Sequence, residues 1–403
     1  MDYSGEQFDV IVVGAGIMGS CAAYQLAKRG QKVIVLEQFD FLHHLGSSHG
    51  ESRTIRATYP EHYYSHMVIE SSRLWEEAES EIGYQVYIKA PQFDMGPSNN
   101  KSLQCLIQNC KSNSLSYSVL DPKQVSEQFK GRFELPENWV GVLTQLGGVI
   151  KPTKAVSMFQ TLAFQKGATL RDNMKVIDIK KDTADENGGV CVFTSNGSMF
   201  RGKKCIVTIG AWMQKLVKMV TGKVLPIQPL HTNMCYWKIK KDHEEEFLVD
   251  SGFPTFASYS SESHIYGTPS CEFPGLIKIA VDDGYKCDPD ERTWTPNEID
   301  DSVYSWIEER FSGRVDSSKP VFTQSCMYSM TPDGDYVIDF LGGEFGNDVV
   351  IAGGFSGHGF KMGPVMGRIL ADLVLNGEAL GVDLSYFKIS RFEKNPKGNV
   401  KEF

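Results

Sequence analysis

Gly14-Ala15-Gly16-Ile17-Met18-Gly19 follows directly on the β-branched run Phe8-Asp9-Val10-Ile11-Val12-Val13. A short apolar run of this kind reads as a buried parallel strand. The glycines allow a tight turn, close approach of a pyrophosphate, and close packing of the helix that follows. That helix is expected from Gly19 through Ala27, and Lys28-Arg29-Gly30 supplies the cations and the glycine that end it. Val33-Ile34-Val35-Leu36 then gives a second strand, closed by Glu37. A carboxylate about 20 residues past the glycines accepts hydrogen bonds from ribose hydroxyls. Strand, turn, helix, strand and acid in register predict a dinucleotide site on Gly14, Gly16, Gly19 and Glu37. The pattern alone does not separate FAD from NAD, and a plain glycine turn is the simpler alternative.

The rest of the chain supplies more pieces of the same unit. Lys151 to Gly167 reads as a helix, Lys203 to Ile209 as a strand, and Val349-Val350-Ile351-Ala352 as a last strand before a helix from Pro364 to Asn376. Between Val224 and Ile279, short β-like runs alternate with Pro and Gly turns, which suits an antiparallel sheet. The expected fold is α/β plus α+β: a Rossmann-like dinucleotide domain with an antiparallel-sheet substrate domain. In this division residues 1–85, 146–220 and 321–403 form the first, and 86–145 and 221–320 the second.

With 403 residues, 23% charged and 41% hydrophobic, the chain has the composition of a soluble globular protein. A net charge of -9 argues against nucleic acid or an anionic membrane as partner. No run of about 18 apolar residues predicts a transmembrane helix. The nine cysteines lack CxxC pairs and His/Cys metal spacing, so free thiols and no metal are expected. Met1-Asp2-Tyr3-Ser4-Gly5-Glu6 lacks the regions of a signal peptide, and Asn399-Val400-Lys401-Glu402-Phe403 is not an S-K-L type address.

The segment Gly46-Ser47-Ser48-His49-Gly50-Glu51-Ser52-Arg53-Thr54-Ile55-Arg56 is too polar for a core element. Here the chain resembles the sarcosine oxidase and pipecolate oxidase family, flavoenzymes related to the D-amino acid oxidases. The resemblance continues through Thr208 to Trp212, Cys326 to Asp333, and Gly353 to Lys361. It implies an FAD-dependent oxidase of small secondary amino acids such as sarcosine or L-pipecolate. Such an enzyme oxidises the C–N bond to an imine and reduces O2 to H2O2, acts as a monomer, and resides in the peroxisome or the cytoplasm. Two alternatives stay open: a flavin dehydrogenase of the same fold using another acceptor, and a non-catalytic FAD-binding redox sensor.

Site residues follow from the resemblance position by position. Cys326 matches the cysteine bonded covalently to FAD; a buried free thiol is the alternative. Ser52, Arg53, Val176, Gly357, His358 and Gly359 match cofactor contacts, Val176 toward the adenine. Lys361 matches a cation shared by the cofactor and the substrate carboxylate, with Arg56 as its guanidinium partner on that carboxylate. Lys278, flanked by Leu276, Ile277, Ile279 and Ala280, matches a lysine that assists electron transfer to O2. A lysine in that apolar setting is costly unless its charge has a task. Tyr266 matches a tyrosine of the substrate pocket; a packed strand aromatic is its alternative. The match breaks four residues after Lys278, where sarcosine oxidases carry a histidine and this chain has Asp282. An aspartate can hold a substrate ammonium but lacks the neutral imidazole's chemistry. His231 likewise replaces a frequent arginine.

Overall fold

The computed structural model describes residues 6–184, 188–260, 264–293, 295–296 and 298–401. The chain's first five and last two residues, on which the targeting expectations partly rest, lie outside the described residues.

Gln7–Val13 is buried on both faces and pairs in parallel with Val33–Leu36 on one side and Met199–Val207 on the other. Val349–Gly353 extends this sheet beyond Met199–Val207, and Thr169–Arg171 extends it beyond Val33–Leu36, both in parallel. With an antiparallel flap, Val176–Lys181 and Val190–Thr194, and the edge strand Val337–Phe340 the sheet has eight strands among the described residues. The period-two pattern divides its side chains. Val10, Val12, Val33 and Val35 face a helical layer of Ile17–Lys28, Pro152–Gln165, Gly363–Asn376 and His62–Ile82. Ile11, Val13, Ile34 and Leu36 face the flap and the helix Met213–Thr221. Strands covered on both faces are what an apolar, non-alternating run requires.

A second sheet has nine strands. It is mixed rather than wholly antiparallel, because Thr255–Tyr259 runs parallel to Gln92–Pro97. Parallel neighbours need a long crossover, and here the chain passes through the first sheet between the two strands. Phe322–Met330 also belongs to this sheet, paired along its length with Gln228–Lys238. The sequence-based division had assigned that strand to the dinucleotide unit. One face of the nine-stranded sheet carries Phe93, Phe256, Ile265, Ile277, Ile279 and Trp237 into an aromatic core with Phe133, Trp306 and Phe311. The other face carries the polar Gln92, Asp94, Thr232 and Lys278 together with Met234, Tyr236, Val142 and Ala257. A small third sheet joins Arg53–Arg56 and Tyr87–Lys89 to Gly147–Ile150.

Candidate active site

The dinucleotide cleft opens where the parallel strands end. Gly14 has φ +95°, and a Cβ there would lie 2.6 Å from the Thr208 carbonyl oxygen. A Cβ on Gly19 would lie 1.8 Å from the Gly14 carbonyl oxygen, so Gly19 serves contact between turn and helix and does not line the cleft. Gly16 does line it, with Ser48 Oγ against its bare face and accepting a hydrogen bond from the Ile17 N–H at 3.1 Å. Glu37 is buried; its carboxylate accepts from the Ala15 N–H at 2.8 Å and the Phe39 N–H at 3.2 Å. Val176 and Lys175 line the cleft near the same strand ends, and Cys326, Tyr328, Gly357 and Gly359 also contribute to its wall. A turn kept free of side chains at a helix start, with a carboxylate beside it, fits the pyrophosphate and ribose of FAD.

A second pocket adjoins the first. Arg53, Cys326, Tyr328, Gly357 and Phe360 line both. The face of the nine-stranded sheet that bears Lys278 walls the second pocket, and strand register explains its composition. Lys278 lies opposite Thr268 and Tyr236, Tyr266 opposite Ala257 and Ala280, and Ala257 opposite Asp94. Thr232 lies opposite Cys326. Directly opposed residues share a face, and so do residues two apart on one strand. Lys278, Ala280 and Asp282 therefore point the same way, as do His264 and Tyr266.

Lys278 is 3% exposed, and its Nζ donates to Ser52 Oγ and, at 3.2 Å, to the Ser52 carbonyl. Burial lowers its pKa; Glu272 opposes that shift and Arg53 adds to it. Ser52 is thus a buried support for the lysine. Arg53 donates to the carbonyls of Ser52, Ser47 and His49, and its Nη2 lies 3.2 Å from Cys326 Sγ. The cysteine is free, as are the other eight.

Arg56 and Lys361 meet at Tyr59. The guanidinium stands 4.8 Å over the Tyr59 ring and donates to the Thr58 carbonyl. Burial opposes its charge, but Tyr259, Asp94, Tyr59 and Glu61 outweigh that and keep it firmly protonated. Lys361 donates to Tyr59 Oη at 3.1 Å and to the His358 carbonyl at 2.9 Å. Trp75 Nε1 and Ser71 Oγ hold its own carbonyl at 3.0 and 2.6 Å. Burial drives its pKa well down, and Arg56 drives it further. A half-buried guanidinium beside a buried amine whose charge is disfavoured suits an anion between them, which would favour the charged form of the amine. Lys361 lines the second pocket and not the cleft, although both were expected.

His358 also lines the second pocket, yet its ring is engaged elsewhere, with Nδ1 2.8 Å from Tyr336 Oη and Nε2 3.0 Å from the Gly334 carbonyl oxygen. Burial lowers its pKa to about 3. Tyr266 Oη lies 3.5 Å from Tyr328 Oη. Asp282 Oδ2 lies 3.3 Å from His264 Nδ1. The pocket thus brings together Arg56, Lys278, Tyr266, Asp282 and Lys361. His264 and Gln92, which sequence reading does not single out, reach the pocket wall through strand pairing, and Asp94 and Tyr59 stand behind it beside Arg56 and Lys361. His231 is buried on the strand beside Thr232 and does not line either pocket. Among the described residues no cluster is suited to a metal ion, and no helix is long and apolar enough to cross a membrane.

Comparisons with known proteins place the chain in a family. A family model described as FAD dependent oxidoreductase matches residues 9–373. "Probable sarcosine oxidase" of Arabidopsis thaliana is 62% identical over 100% of this chain and 97% of its own. "Peroxisomal sarcosine oxidase" of Homo sapiens is 34% identical over 98% of each chain. "Monomeric sarcosine oxidase" of Bacillus sp. (strain B-0618) is 33% identical over 95% of this chain and 96% of its own. Among solved structures, NikD, titled an unusual amino acid oxidase, superposes with TM-score 0.79 at 23% identity over 95% of this chain and 97% of its own. L-proline dehydrogenase from P. horikoshii gives 0.79 at 24% over 96% and 98%. At such identities these structures speak for the fold alone. The chain belongs to the FAD dependent oxidoreductase family and, within it, to the sarcosine oxidases.

Proposed function

We propose that this protein oxidises small secondary amino acids, sarcosine, L-pipecolate or a close analogue, with FAD joined to Cys326 and O2 as the electron acceptor. The observation that carries the reading is the convergence of Arg56, Lys361, Lys278 and Asp282 on a pocket that shares its Cys326 wall with the dinucleotide cleft. FAD, when bound, would supply the two-electron exchange: the α C–H gives up two electrons and one proton, the amine N–H proton passes to solvent, and O2 takes up two electrons and two protons, so imine and H2O2 are the products.

The protein's own groups bind, orient and neutralise. Arg56 and Lys361 hold the substrate carboxylate, an anion that relieves their mutual repulsion. Tyr59, in contact with both cations, fixes their spacing. Tyr266 and Tyr328 wall the pocket beside Asp282. Lys278 supplies a fixed positive charge in the second pocket, near Cys326 of the shared wall, where negative charge develops as oxygen is reduced. Arg53, donating to Cys326 Sγ, positions the sulfur for bonding to the cofactor. The named relatives from Homo sapiens and Mus musculus are peroxisomal, which favours that compartment, and a Bacillus relative named monomeric favours a single chain.

An oxygen-electrode and peroxide assay on a panel of N-methyl and cyclic amino acids tests the reading. Oxygen uptake with matching peroxide is expected for secondary amino acids. Flavin reduction that needs an added dye or quinone to turn over would favour the dehydrogenase alternative.

A further inference from the structure

Asp282 has surroundings that suit one task. It sits at the rim of the second pocket, on the same face of its strand as Lys278, and remains open to solvent. His264 on the neighbouring strand presents Nδ1 to Oδ2 at 3.3 Å. Oδ1 lies 3.3 Å from the point a Cβ on Gly357 would occupy, so the glycine leaves the carboxylate room beside the loop. The groups that face Asp282 are His264 and Tyr266 from one strand, Tyr328 from another, His358 and Lys361 from the loop before the last helix, and Tyr59. Close packing on its pocket side resists ionisation of this carboxyl, but hydrogen bonds with His264 and Tyr328 and the nearby His264 charge hold it below the usual carboxylate range, and its solvent-exposed edge favours the same charged form. Besides Arg53 and Lys278, which are engaged with Cys326 and Ser52, the pocket offers two basic groups, Arg56 and Lys361, and one ionised carboxylate. A small zwitterion has that charge pattern in reverse.

We propose that Asp282, oriented by His264, binds the substrate's ammonium group and makes this pocket select amino acids that arrive as zwitterions. The inference rests on the oxidase reading above and adds the residue that recognises the amine. It also carries a cost with a definite sign. A carboxylate beside an amine favours the protonated amine, whereas only the neutral amine gives up its α C–H electrons. Asp282 thus strengthens binding and moves the chemistry toward higher pH. His264 is a positioning residue: it touches Asp282 and acts through it.

The test is anaerobic mixing of FAD-loaded enzyme with sarcosine over a range of pH, alongside binding of acetate read from the visible flavin spectrum. Asp282→Asn keeps the shape and removes the charge. It should weaken sarcosine binding by roughly 10- to 100-fold, the scale of one charged partner lost. It should also move the midpoint of the limiting reduction rate to lower pH by about one unit or more. Acetate, which lacks an amine, should bind unchanged or tighter. His264→Gln should give a smaller loss of the same kind. Equal weakening for sarcosine and acetate would overturn the proposal, as would an unchanged sarcosine affinity with a slower limiting rate at every pH, the mark of a proton acceptor. If no secondary amino acid reduces the unmutated enzyme, the oxidase reading fails separately. The sarcosine-against-acetate binding comparison then still decides the role of Asp282.

Discussion

Lys278 is buried against Ser52 with its pKa lowered by burial, so its charge is held where solvation contributes little. A charge kept there acts on whatever becomes negative beside it, and that points to the oxygen step. Lys278→Met keeps length and apolar packing. Stopped-flow mixing of the reduced variant with O2 should show reoxidation slowed by roughly 10²-fold or more, with anaerobic reduction by substrate slowed much less. Normal reoxidation with failed reduction would move Lys278 to the substrate site. Cys326 is likewise buried, 3.2 Å from Arg53 Nη2. In the unmutated protein the flavin should stay with the chain through acid precipitation; in Cys326→Ser it should be released. Full recovery of free FAD from the unmutated protein would exclude the link.

The turn Gly14–Gly19 sits on a helix whose far side is equally constrained. A Cβ on Gly367, in Gly363–Asn376, would lie 2.5 Å from the backbone of Cys21 in Ile17–Lys28. The two helices meet through that glycine, and the first of them carries the dinucleotide turn. Gly367→Ala must push them apart, against a gain in helix propensity of only about 1 kcal/mol. We expect a net loss of about 1–3 kcal/mol in denaturant unfolding, together with weaker retention of FAD in the Cys326→Ser background. Unchanged stability would show that the contact relaxes freely.

The first strand, turn and helix were legible because their signals are local: a β-branched run, three glycines, and an acid at fixed spacing. The helix before Asn376 and the strand Val349–Gly353 were legible for the same reason. The polar wall was not. Gln92 and Thr255 are directly opposed across a parallel pair, yet 163 residues apart in sequence. No local period announces such pairing. Tyr59 was invisible for another reason, since a tyrosine before a proline carries no chemical signal until Lys361 donates to it. Arg56, Lys278 and Lys361 stood out through family resemblance, and the structure adds that they line one pocket.

At the scale of the whole molecule, His49 lies in the link between Val33–Leu36 of the eight-stranded sheet and Arg53–Arg56 of the small third sheet. It is 2% exposed, neither ring nitrogen has a hydrogen-bond partner, and burial together with Arg53 and Arg292 lowers its pKa from 6.5 to about 3. An unfolded chain takes up a proton on this ring below about pH 6.5, while the folded chain does so only near pH 3. The stability His49 supports is thus complete above pH 6.5 and is lost as pH falls toward 3. Between those limits each such histidine contributes a slope of about 1.4 kcal/mol per pH unit. Thermal melts should fall as the medium is acidified through this window, and His49→Phe should flatten the fall by about that amount. An unchanged slope would mean that the buried ring is protonated in the folded protein.

In the proposed function, Arg56, Lys361 and the flavin act on one secondary amino acid at the wall the two pockets share. Anaerobic addition of sarcosine or L-pipecolate to the FAD-loaded enzyme tests this most directly, with the visible flavin absorption as readout. Full bleaching by at least one secondary amino acid is expected and, at equal concentration, little or none by the same amine lacking its carboxylate. Equal bleaching by both amines, or none by any secondary amino acid, would contradict the proposed function.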